Sequence, residues 1–117
     1  MSNLKLPDMS YSNLMKLTSS TGDKWRKVAY ETYVKRSVVN PKTVEVKHHN
    51  SVIGTLTEFG LNLDNNNWVS KTTTHRMHAL ATANTNFKVA MRKGANVLMD
   101  WDCTIKGPFD RVELPYK

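Results

Sequence analysis

Two hydrophobic rhythms alternate along the chain. In residues 10–17, Tyr11, Leu14, Met15 and Leu17 recur at helical spacing, which predicts a short helix capped by Asp8 or Ser10. Residues 18–23 are a polar breaker ending in Gly22-Asp23. From Lys24 to Arg36 both rhythms coexist. Trp25, Val28, Ala29 and Tyr33 fit a helix, whereas Val28, Tyr30, Thr32 and Val34 alternate. Aromatic and β-branched content favours a strand over residues 28–36. Residues 43–48 alternate cleanly after the Asn40-Pro41 turn, and 52–56 continue past a kink at Asn50-Ser51. Leu61-Asn62-Leu63 folds back after Gly60. Residues 72–81 read as a second helix, capped by one of its threonines, with Met77, Leu80 and Ala81 as the apolar stripe. Phe87, Val89 and Met91 then form a hairpin with Val97, Met99 and Trp101 across Lys93-Gly94. Gly107-Pro108 breaks the chain before a last edge strand at 111–114. The sum predicts an α+β fold: a small, mainly antiparallel β-sheet with one or two short helices. Residues 1–23 are expected to be an N-terminal arm with its helix, loose over 1–9, and residues 24–117 a single α+β domain.

Composition narrows the partners. The 117 residues include one cysteine, Cys103, which excludes an internal disulfide framework. No apolar run approaches the roughly 18 residues of a membrane span, and the N-terminus lacks a signal-peptide core, so a cytoplasmic protein with no membrane partner is expected. The formal charge of +7 is uneven: residues 24–49 and 70–95 each carry a net +5, and no carboxylate lies between Asp64 and Asp100. If folding gathered both blocks on one face, the field there would recruit an anionic partner.

Nucleic-acid binding is the first chemistry this layout suggests. Trp25, Tyr30 and Tyr33 are interleaved with Lys24, Arg26, Lys27, Lys35 and Arg36, so bases could stack while cations meet phosphates, an arrangement suited to single strands. Lys71 and Arg76 would flank a phosphate at the start of the second helix, and Lys88, Arg92 and Lys93 would add cations from the hairpin. About five phosphate contacts would give a log–log salt slope of about −4 to −5. Taken singly, Trp25, Tyr33 and Trp68 are each expected in the core.

Other chemistries find less. His75 and His78, joined by one of the adjacent His48 and His49 and by Asp64, could be gathered around zinc, but there is neither a cysteine pair nor a His-x-x-x-His spacing, so no metal or cofactor is assigned. Asp100 and Asp102 could share a strand face and hold Mg²⁺, though such pairs more often end a strand in solvent. Cys103 has no adjacent base. No enzyme is expected. A homodimer that extends the sheet or doubles the positive surface is compatible with the pattern.

Three segments, 27–33 (KVAYETY), 44–53 (VEVKHHNSVI) and 68–78 (WVSKTTTHRMH), resemble the ordered motifs of a family of small, functionally uncharacterised accessory proteins of tailed bacteriophages. Glu31, Lys47 and His78 depart from that pattern, where Asn, Leu and Asn are usual. The resemblance implies a phage origin, expression in the cytoplasm of an infected bacterium and an auxiliary role, and it carries no activity. Two functions then share the positive face. One is binding of DNA or RNA. The other is an effector that blocks an acidic surface of a host polymerase, nuclease or defence enzyme.

Overall fold

The computed structural model describes residues 5–117; the first four residues of the expected arm lie outside them. The chain opens with α1 (Tyr11–Leu17), followed by five strands, β1 (Arg26–Ala29), β2 (Thr32–Arg36), β3 (Val44–His48), β4 (Ser51–Leu56) and β5 (Gly60–Asp64). Then come α2 (Lys71–Asn84), β6 (Phe87–Arg92), β7 (Ala95–Asp100), β8 (Ile105–Phe109) and β9 (Arg111–Pro115). A six-stranded sheet runs β1-β2-β3-β4-β5-β9 and a three-stranded sheet β6-β7-β8, with every pairing antiparallel. The fold is the α+β arrangement read from the alternation.

Several local expectations change. The single strand over 28–36 is a hairpin: the chain reverses at Tyr30-Glu31, where Glu31 takes a left-handed φ of 49°. This accommodates both rhythms of that segment, because Tyr30 is lifted out as a turn residue. The cap of α2 is Ser70, whose Oγ accepts the Thr73 N–H, and the helix runs on to Asn84. Gly107-Pro108 lies inside β8, an edge strand, where a missing N–H costs no ladder bond. The arm is not loose where it is described. Met9 is buried, Leu6 packs on the core, and the Asn84 amide donates to Met9 O and accepts from the Tyr11 N–H.

Alternation gives the six-stranded sheet two unlike faces. Val34, Val44, Val46, Ile53, Leu61 and Leu63 point inward, where α2 lays Met77, Leu80 and Ala81 and α1 adds Leu14. Gly54 lets α2 seat this closely, since a Cβ there would stand 2.7 Å from Leu80 Cδ1. The three-stranded sheet adds Val89, Phe87 and Leu98 to the same core. The opposite face, bearing Tyr33, Lys35, Glu45, Lys47, Thr55 and Asn62, is covered by neither helix.

Candidate nucleic-acid interface

The uncovered face concentrates aromatic rings and lysines at its β1–β3 end. Lys27 pairs with Tyr33 across β1 and β2, and Tyr33 with Lys47 across β2 and β3, so all three project to one side. Trp25, just before β1, joins them. Lys47 Nζ lies 4.4 Å from the Trp25 ring centre and 5.1 Å from that of Tyr33, and Lys35 Nζ lies 5.1 Å from Trp25. Lys35 also meets Glu45 at 3.8 Å. Both rings are half-buried under flexible ammonium stems. Exposed cation–π contacts are worth about 0.5–1 kcal/mol, whereas a base stacked on an aromatic ring gains about 1–3 kcal/mol. The lysines can therefore leave the rings for phosphates at little cost while bases take their place.

Three of the expected contacts do other work, and all three are arginines. Arg26 donates to Leu17 O at 2.6 Å, and Arg36 donates to Met15 O at 2.6 Å and to Thr18 Oγ1 at 3.1 Å. Both close the carbonyl end of α1, where four backbone acceptors lack helical partners and the dipole favours a cation. Arg76 is only 2% exposed. Its guanidinium donates to Thr32 Oγ1, Tyr30 O and Thr72 O at 2.6–2.7 Å, tying α2 to the β1–β2 turn. Arg76 thus does not flank a phosphate at the helix start; it points inward.

The rest of the second block is on another side. Lys71 is exposed at the start of α2, Arg92 and Lys93 are exposed at the β6–β7 turn, and Lys88 lies 5.0 Å from the Trp101 ring centre. These belong to the helix and small sheet that sit on the inward face of the large sheet. The two basic blocks are therefore not gathered into one surface. Lys24 is exposed next to Trp25 and stays with the first block.

Trp68 is 73% exposed, against its expected place in the core. It lines a cleft of about 340 Å³ together with His49 and Ser70. The histidines do not converge on a metal. His48 bridges Glu31 O and Thr72 Oγ1, and His78 Nδ1 accepts the Val89 N–H. Among the described residues no group of three His, Cys, Asp or Glu side chains could hold an ion. Burial lowers the pKa of both His48 and His78. Asp100 and Asp102 both accept from the Thr104 N–H in the β7–β8 turn, and hydrogen bonding with Asp100 and Thr104 holds Asp102 at about 2. Cys103 is exposed, with Lys88 Nζ 3.6 Å from its sulfur. Lys47 is the contact that sequence reasoning left out. It belongs to the first basic block, but only the β2–β3 register places it between Trp25 and Tyr33.

The fold and this face define a small basic α+β protein with one open sheet surface of rings and lysines. The chain belongs to the family described as Kyanoviridae Gp96 protein, whose model matches residues 7–113, and so to a phage protein family. No curated protein and no solved structure matches it. Among the described residues no helix is long and apolar enough to cross a membrane.

Proposed function

We propose that this protein is a phage accessory protein that binds nucleic acid on the open face of its six-stranded sheet, in the cytoplasm of the infected bacterium. One observation carries the reading: Trp25 and Tyr33 lie side by side under the ammonium groups of Lys35 and Lys47. The rings supply stacking platforms, and Lys24, Lys27, Lys35 and Lys47 supply phosphate contacts. Single strands fit best, because their bases are free to lie on a sheet face, whereas a duplex keeps its bases stacked inside. An acidic host protein on this same face would use the lysines but give the rings no comparable role. No catalytic step is part of this reading.

Three to four phosphate contacts on a single strand give a log–log salt slope of about −2 to −3, at roughly −0.7 per contact. At the same roughly −0.7 per contact, about five contacts drawn from both basic blocks would give a steeper slope of about −3.5. Fluorescence anisotropy with a labelled oligothymidine and its duplex, over a salt series, tests the reading. Tighter binding of the single strand with that slope supports it. Absence of binding at about 10 µM protein in low salt overturns it, since non-specific affinities reach that range.

A further inference from the structure

Lys71 of the second basic block lines a feature that nucleic-acid binding does not use. Between α2 and the β6–β7 hairpin runs an open groove of about 570 Å³, lined mainly by apolar surface that includes Ala90, Met91 and Met99. Lys71, His75 and His78 stand along its α2 side. The Val89 N–H donates to His78 Nδ1, which leaves the ring proton on Nε2 as a donor. Among the described residues, none of Lys71, Lys88, Arg92 and Lys93 takes part in a salt bridge. No Asp or Glu occurs from residue 65 to 99, so the groove's helix and its nearer strand carry cations alone.

We infer that this groove docks an acidic, apolar segment of a partner protein. Charge complementarity selects the occupant: carboxylates meet Lys71 at the rim, with Arg92 and Lys93 exposed on the adjoining hairpin turn, while apolar side chains cover Met91 and Met99. Methionine suits such a floor, because its unbranched, polarisable side chain repacks against varied partners. A nucleic-acid strand would satisfy the rim but leave the floor wet, and the stacking rings are on the other face of the large sheet. The groove is thus a second, separate recognition surface.

The test uses the full chain with its methionine ε-methyl groups ¹³C-labelled. The probe is a short helical peptide built of Glu and Leu, with Leu at helical spacing. Its controls are a Glu/Ser peptide of equal charge and a Lys/Leu peptide of equal apolarity. The expected result is movement of the Met91 and Met99 signals with those of Met9, Met15 and Met77 unmoved, and affinity about tenfold above either control. Lys71→Glu, at an exposed position, weakens the Glu/Leu peptide by about tenfold, and oligothymidine does not displace it. Equal binding of the Glu/Ser peptide, unmoved Met91 and Met99 signals, or displacement by oligothymidine overturns the proposal. Because the wild-type signals report the site directly, a variant that fails to fold leaves the result readable.

Discussion

Residues 24–49 and 70–95 carry the same net charge of +5 and different surfaces. In the first block the lysines share a sheet face with Trp25 and Tyr33. In the second, Lys71 lines a groove shared with Met91 and Met99, and Lys88 lies over Trp101. The difference lies in what accompanies the cations. Rings beside lysines make a platform for flat, anionic polymers, whereas flexible apolar chains beside lysines make a bed for acidic side chains with apolar neighbours. Equal charge does not imply equal partners.

The arginines sharpen that lesson. Arg26, Arg36 and Arg76 were indistinguishable from the lysines in a charge count, yet each donates to backbone carbonyls within the fold. A planar guanidinium can serve several acceptors at fixed geometry, while an ammonium on a flexible stem stays with solvent. Arg76→Leu therefore has the largest expected effect on stability. It removes the charged donor shared by Thr32 Oγ1, Tyr30 O and Thr72 O, and denaturant unfolding should show a loss of about 3 kcal/mol or more, since a hydrogen bond to a charged group is worth about 1.5–3 kcal/mol. A loss below about 1 kcal/mol would mean the side chain is not the tie described.

Next in size is removal of the platform. Trp25→Ala and Tyr33→Ala should each weaken oligothymidine binding by about 5- to 150-fold, matching about 1–3 kcal/mol of stacking, and should leave the acidic peptide unaffected. Anisotropy titrations of both ligands against both variants check this. Equal weakening of the two ligands would merge the regions that the fold separates.

Stability should also depend on pH. The folded-state pKa values of His48 and His78 lie below the ordinary 6.5, chiefly through burial. Below about pH 6.5 the unfolded chain therefore binds more protons than the folded one, so stability falls as pH drops through that window and is fully present above it. Thermal unfolding at pH 5 should begin lower than at pH 7, and His48→Gln should flatten the trend in part. A Tm that rises on acidification would contradict the placement of both imidazoles. The smallest effect belongs to Trp68→Ala. An exposed tryptophan without core contacts should leave stability within about 0.5 kcal/mol of the parent.

Much of the architecture was legible in the chain because alternation reports a sheet with one buried face. Residues 43–48 and 52–56, and the hairpin around Lys93-Gly94, lie where the pattern put them. The β1–β2 turn was hidden because Tyr30 and Glu31 are not typical turn residues; Glu31 takes a left-handed conformation that its identity does not announce. Pro108 concealed β8, since a proline reads as a breaker unless the strand is known to be an edge. The candidate site was half legible. Tyr33 and Lys35 share a face by local periodicity, but Trp25 and Lys47 reach them only through the register of β1 and β3 on β2. Arg76, three residues from Thr73 and on a basic stretch, gave no local sign that its partners lay in another element.

The central claim is that the open sheet face, and not the groove side, meets nucleic acid. Oligothymidine binding at physiological salt should be compared for the wild type and two charge-reversed variants, Lys27→Glu with Lys47→Glu, and Lys71→Glu with Lys93→Glu. The first pair should lose about tenfold or more in affinity and the second less than about twofold. The reverse order, or equal losses from both pairs, would contradict the account.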